Sequence, residues 1–323
     1  MANTDFSLDV LRGYTPDVLE PSDFDEFWSS TIEASRRANA GFTLTPATTP
    51  ITGIVIEDLT FSGFGGEPIK GWVMRPADAS GPLPTVVEFQ GYNGGRGLPG
   101  EKLHWAASGY VHVFMDTRGQ GSGWGSGGDT PDPHGSGPAV AGFMTRGIHD
   151  PAEYYYRRLY TDAVRLVDLV KTFDFVDEGR IALTGGSQGG GIAIAATALS
   201  SGVRAVMPDV PFLSHFRRAV EATPEQPFTE ITRYLAVHRD RVEATFHTLS
   251  YFDGVNFARR IDAPAYFSVA LMDAIVLPST VFAAYNQLAS PDKGIEVYAY
   301  NGHEGGQFLQ WTRQAAWLPQ RLV

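Results

Sequence analysis

The sequence predicts an α/β fold: a mostly parallel sheet with helices on both faces. Two observations carry that prediction. Short β-rich runs alternate with stretches of helical periodicity from residue 85 onward. Such alternation implies parallel strands joined by helical crossovers. One run, Arg180–Leu183, enters Gly185-Gly186-Ser187-Gln188-Gly189 and leaves into a helix-forming stretch, which is the context a strand–turn–helix elbow needs.

The elements follow in order. Residues 1–45 read as an N-terminal arm, in which Pro21–Trp28 offers a helix start with Ser22 or Asp23 as N-cap and acids in the first turn. Ile54–Phe61 and Ile69–Met74 alternate apolar and polar residues around Gly63–Gly66 and read as a hairpin. Thr85–Phe89 and Val111–Met115 are strands separated by a helical patch at Leu103–Ala107. Ala152–Phe173 is a long helix, with Tyr156, Tyr160, Ala163, Val164 and Val167 on one face. Arg180–Leu183 and Gln188–Leu199 flank the elbow. Val203–Met207, Tyr266–Leu271 and Ile295–Tyr300 are further strands; Val281–Leu288 and Phe308–Trp317 are further helices. Between them, Pro211–Arg260 has apolar residues at helical spacing and exceeds an ordinary crossover. It reads as a helical insertion over residues 211–260 that walls the C-terminal side of the sheet, or as a crossover with extra helix. The whole, 1–323, reads as one domain, since folds of this class often fill such a length.

Composition narrows the function. The chain has 25 Lys+Arg against 36 Asp+Glu, a net charge of −11, which argues against nucleic acid as a partner. It has no cysteine, so disulfide scaffolds, Cys-ligated metals and Cys nucleophiles are excluded, and a reducing cytoplasm fits. No basic and then apolar leader is visible at the N-terminus. No apolar run approaches the roughly 18 residues of a membrane span.

G-x-S-x-G on a tight turn exposes the serine oxygen and aims backbone N–H groups at a developing oxyanion. A serine hydroxyl needs a base, and the base needs an anion to orient it. Of eight histidines only His303 follows the last strand, in a Gly-flanked loop. Asp273, just past Ala265–Leu271, is the acid expected from the preceding strand. Asp262 lies at the wrong end of that strand, Asp292 in a connection, and Glu304 beside the base in an awkward geometry. The oxyanion donors are expected at the Gln188 amide and at the Tyr92 amide, in the loop after Thr85–Phe89. The Gly-rich loop Asp116–Gly123 lacks the phosphate-cradle pattern G-x-x-x-x-G-K-[ST]. Its Arg118 is expected to brace the elbow by hydrogen-bonding carbonyls.

With these residues placed, the chain resembles carbohydrate esterase family 7, the acetyl xylan esterases and cephalosporin C deacetylases. The resemblance rests on Arg118-Gly119-Gln120, Gly185–Gly189 and His303-Glu304 in order. Longer stretches also match: Thr145–Ile148, Tyr154–Arg158, Pro211–Leu213, Leu249–Asp253, Pro278–Thr280 and Pro21–Trp28. It implies an α/β-hydrolase fold with Ser187, Asp273 and His303 as triad, Tyr92 and Gln188 as oxyanion donors, and Arg118 and Gln120 as support of the site. It implies no cofactor and no metal, small acetylated substrates including xylo-oligosaccharides and cephalosporin C, and a homo-hexamer built as a dimer of trimers. Its one departure is Ala274-Ile275-Val276-Leu277-Pro278, where the family usually has Cys-Pro-Pro; the change is placed to alter the pocket wall. A serine peptidase of the same fold commonly carries a large extra domain, for which this chain has no room. An idle scaffold has no use for an ordered triad. Phe24, Phe27, Trp28, Phe212, Phe216, Phe228, Tyr234 and Phe246 are apolar enough that a monomer is expected to expose some of them, which also points to assembly.

Overall fold

The computed structural model describes residues 5–135 and 137–323. The N-terminal reading at residues 1–4 lies outside them. The described residues form a nine-stranded sheet in the order β1-β2-β3-β5-β4-β6-β7-β8-β9. Its strands are β1 Phe42–Pro46, β2 Ile54–Ser62, β3 Pro68–Pro76, β4 Leu83–Phe89, β5 Val111–Met115, β6 Val176–Gly186, β7 Val203–Asp209, β8 Ala265–Ala270 and β9 Lys293–Tyr298. The pairs β1–β2, β2–β3 and β3–β5 are antiparallel; every pairing from β5 on to β9 is parallel. The hairpin expected around Gly63–Gly66 is the β2–β3 pair.

The strand period explains the double cover. Val87, Leu183 and Val206 pack into one apolar cluster, whereas Val86, Ala182 and Ala205 pack into a second. Successive side chains on a strand point to opposite faces, so adjacent residues feed the two layers. The helices are α1 Leu8–Arg12, α2 Phe24–Arg37, α3 His104–Ala107, α4 Tyr155–Val170, α5 Gln188–Leu199, α6 Phe216–Ala222, α7 Phe228–Val237, α8 Val242–Ser250, α9 Gly254–Ala258, α10 Pro278–Asn286 and α11 Gln307–Trp317. No helix among the described residues is long and apolar enough to cross a membrane.

Three differences from the sequence reading have physical causes. Strand β1 is not among the expected strands: Phe42-Thr43-Leu44-Thr45-Pro46 alternates apolar and polar residues over only five positions, ends in proline and is exposed along most of its length. Asp23 does precede α2 but does not cap it; its carboxylate accepts the Tyr251 hydroxyl at 2.7 Å. The apolar residues offered as exposed in a monomer are not exposed. Phe24, Trp28, Phe212, Phe216, Phe228, Tyr234 and Phe246 are all buried, and Phe27 packs against Trp28 and Tyr251. The arm is docked rather than free, because Phe24 and Trp28 wedge against Phe257.

Candidate active site

The elbow is built by close approach. A Cβ on Gly185 would lie 2.5 Å from the Gly189 carbonyl carbon, and one on Gly189 would lie 2.1 Å from the Phe89 carbonyl oxygen. Only glycine lets β6 turn this sharply beside β4. Ser187 sits between them at φ 55° and ψ −118°, a conformation that costs on the order of 1–3 kcal/mol for a residue with a side chain. Its backbone is held there on both sides. The Ser187 N–H donates to Asp209 O at 2.9 Å, and its carbonyl accepts from Gly191 N at 3.1 Å and Phe212 N at 2.9 Å.

The loops after β8 and β9 bring the partners in. His303 Nε2 lies 2.9 Å from Ser187 Oγ, and His303 Nδ1 lies 2.8 Å from Asp273 Oδ2. Asp273 is fully buried, and its Oδ1 accepts the amides of Ile275 at 2.9 Å and Val276 at 2.8 Å. Those amides fix the carboxylate's rotation, and the carboxylate fixes the ring. The other acids are elsewhere: Asp262 is exposed before β8, Asp292 pairs with Arg321, and Glu304 takes Asn301 Nδ2.

Both expected oxyanion amides are free to donate. Gln188 opens α5, so its N–H has no partner within the helix. The Tyr92 N–H has no acceptor among the described residues. Tyr92 is clamped at its other groups. Trp124 Nε1 donates to its carbonyl at 2.7 Å. Its hydroxyl donates to Glu230 Oε1 at 2.7 Å and accepts from Phe143 N at 2.6 Å. Glu230, on α7 and only 3% exposed, takes Met144 N on its second oxygen at 3.0 Å. Burial raises the pKa of this carboxyl and of the Tyr92 phenol, the latter further raised by the Glu230 charge. Nothing in the sequence marks Glu230: a lone acid in a helical stretch reads as a solvated face.

Gln120 ties three segments together. Its amide pairs reciprocally with that of Gln188, at 2.9 and 3.2 Å, while its Oε1 also accepts Asn93 N at 2.7 Å. Tyr156 OH donates to Gln188 Oε1 at 3.0 Å. The oxyanion loop, the Asp116–Gly123 loop and the elbow helix are thereby locked in register.

Arg118 does not do what the sequence suggested. Its guanidinium reaches no elbow carbonyl; it is fully buried among carboxylates. Nε and Nη2 fork onto Asp162 at 2.6 and 2.7 Å, and Nη1 takes Glu67 at 2.6 Å and Asp132 at 3.3 Å. The planar fork matches a carboxylate better than scattered carbonyls. Burial disfavours its charge, but Asp162 and Glu67 outweigh this and raise its pKa. Only its backbone serves the site: the Arg118 carbonyl accepts Tyr155 OH at 2.6 Å, and that hydroxyl accepts Gln120 Nε2 at 3.1 Å.

Ser187 and His303 line a cavity of about 960 Å³, walled by Tyr92, Trp124, Phe143 and Ile275, and by Pro227 and Glu230 from the insertion. Within 211–260 it is the start of α7 that reaches the cavity. Among the departure residues only Ile275 faces the cavity; Val276 and Leu277 are buried.

An elbow serine after β6, a carboxylate after β8 and a histidine after β9, on this sheet order, define an α/β hydrolase. The acetyl xylan esterase (AXE1) family model matches residues 1–321, and the chain belongs to that family. An acetyl xylan esterase from Paenibacillus sp. R4 is 38% identical, with 98% of this chain and 100% of that one covered and a TM-score of 0.92. Acetyl xylan esterase 1 from Thermoanaerobacterium sp. JW/SL YS485 is 33% identical, with 99% of each chain covered and a TM-score of 0.90. The acetyl esterase Axe7A of Xylanibacter ruminicola is 24% identical over 339 residues, which span 98% of this chain and 70% of that protein. Family and relatives together support acetyl esterase activity.

Proposed function

We propose that this chain removes acetyl groups from small acetylated sugars, xylo-oligosaccharides foremost, and from compact esters such as cephalosporin C, through an acetyl-enzyme. The observation that carries it is the unbroken line Ser187 Oγ–His303–Asp273 beside two unengaged amides. Ser187 Oγ attacks the acetyl carbonyl while His303 Nε2 takes its proton. The oxyanion is held by the Tyr92 and Gln188 amides, each such donor being worth about 10²–10³ in kcat. His303 then gives the proton to the leaving sugar alkoxide. Water attacks the acetyl carbonyl of the ester on Ser187, with His303 again as base, and acetate leaves. Asp273 holds the imidazole tautomer and stabilises its charge.

The size of the cavity and its aromatic walls favour a sugar acetate over a peptide. The hexamer, a dimer of trimers, rests on the family resemblance, since the apolar residues first offered for it are interior. A closed assembly admits oligomers better than polymer, and the cysteine-free composition fits a cytoplasmic setting. Rates on acetylated xylobiose, intact acetylated xylan, cephalosporin C and a peptide anilide test this reading, with light scattering for the assembly. Oligomer is expected to be the fastest substrate and anilide inert; equal rates on polymer and oligomer, or a monomer in solution, contradict it.

A further inference from the structure

A second cavity of about 460 Å³ lies against the first. Glu88, Lys102, Gly186, Asp209 and Gln307 line both, so the two share a wall formed partly by the elbow strand itself. Its size falls within the ~300–1,000 Å³ usual for small-molecule sites. One side is aromatic. Phe308 and Trp311 of α11 stack at 5.0 Å and 20°, with His104 at 5.1 and 5.3 Å from them. Phe308 is 57% exposed, so the open face of this stack is available to a ligand.

The other side is polar and charge-balanced. Burial works against the Glu88 charge, but Lys102 and His112 beside it hold the carboxyl well below its ordinary range. That carboxylate is therefore offset by Lys102. Asp209 takes Ser268 Oγ at 2.9 Å and Gln314 Nε2 at 3.0 Å, and burial pushes it up to about 7. No spare cation is left for an anionic ligand. Gln307, at φ 46°, is held in the left-handed region at the junction of the two cavities; strain of this kind at a side chain persists where the surroundings impose it.

We propose that this second cavity is a subsite for a neutral sugar ring, the neighbour of the acetylated one in an oligosaccharide. A pyranose offers C–H faces to the Phe308–Trp311 slab and hydroxyl edges to Glu88, Asp209 and Gln307. A ring joined to a sugar at Ser187 reaches it across the shared wall. This inference rests on the acetyl-sugar reading above.

The test compares kcat/KM on acetylated xylobiose and on acetylated methyl xyloside, with 4-nitrophenyl acetate as a sugar-free reference. Wild type, Phe308→Ala and Gln307→Ala are measured; both positions are exposed, and circular dichroism and a melting curve check the fold. Wild type is expected to prefer the disaccharide by about tenfold, the scale of one apolar contact in a specificity pocket. Each variant is expected to bring that ratio towards one. A wild type that treats both sugars alike, or a ratio unmoved in both variants, overturns the subsite and leaves the acetyl-sugar reading standing. Cleavage of 4-nitrophenyl acetate with neither sugar touched overturns that reading and the subsite with it.

Discussion

Glu230 is the residue whose replacement tests the site's construction most sharply. Truncation in Glu230→Ala removes the acceptor of Tyr92 OH at 2.7 Å and that of Met144 N at 3.0 Å. Each buried donor left without a partner costs about 1–3 kcal/mol. Part of this is offset, because burial already disfavours the Glu230 charge. The kinetic effect is separate. Tyr92 keeps the Trp124 bond on its carbonyl and the Phe143 amide on its hydroxyl, but that hydroxyl loses its acceptor, so its amide is less firmly fixed on the oxyanion. Losing such a donor outright costs about 10²–10³ in kcat; loosening it is expected to cost 10- to 100-fold, with KM changed little. Glu230→Gln keeps the volume and one acceptor, so its loss should be smaller. In a Tyr92→Phe background Glu230→Gln should add little, because the two act through one bond. Steady-state kinetics on 4-nitrophenyl acetate, with melting curves, gives all four numbers. A Glu230→Ala variant whose kcat stays within about twofold of wild type, or whose defect lies wholly in KM, refutes this role.

The other predictions are simpler. Asp273→Asn should lower kcat by about 10⁴ with the fold intact, because the imidazole is then held in the wrong tautomer; a larger loss in Asp262→Asn shifts the acid assignment. Arg118→Ala leaves the fully buried Asp162 without its cation, while Asp132 keeps Arg158, so stability should fall by about 3–5 kcal/mol. Unchanged melting with a large rise in KM makes Arg118 a substrate contact instead. Asp209 has a folded pKa of about 7 against an ordinary 3.8. The folded chain therefore keeps a proton that the unfolded chain releases, and this stability, full below about pH 4, is lost as pH rises through 7. Asp209→Asn should flatten that slope in melting curves from pH 4 to 8, and a slope equal to wild type contradicts the assignment.

The sequence carried the parts of this protein that rest on local rules. Strands β4 to β8 are short runs rich in apolar residues, and the glycines at 185 and 189 mark where two segments of the chain touch. Ser187, Asp273 and His303 follow from chain order at strand ends. What was not legible depends on partners far away in the chain. Arg118 meets Asp162 and Glu67 44 and 51 residues off, and no spacing rule distinguishes carboxylates from carbonyls as its acceptors. Glu230 lies 138 residues from Tyr92. Burial depends on distance in the same way: Phe24 and Trp28 look surplus in the sequence until Phe257 arrives to cover them. Strand β1 carries only a five-residue alternation that ends in proline, too short to mark a strand by itself, and as an exposed edge it buries little.

The central claim is that one serine does the chemistry. Complete reaction with a fluorophosphonate, followed by peptide mapping and assay on acetylated xylobiose, tests it most directly. The expected result is a single adduct on Ser187, absent in Ser187→Ala, with esterase activity lost in proportion to labelling. Full labelling of Ser187 with activity retained, or loss of activity with the adduct on another residue, contradicts it.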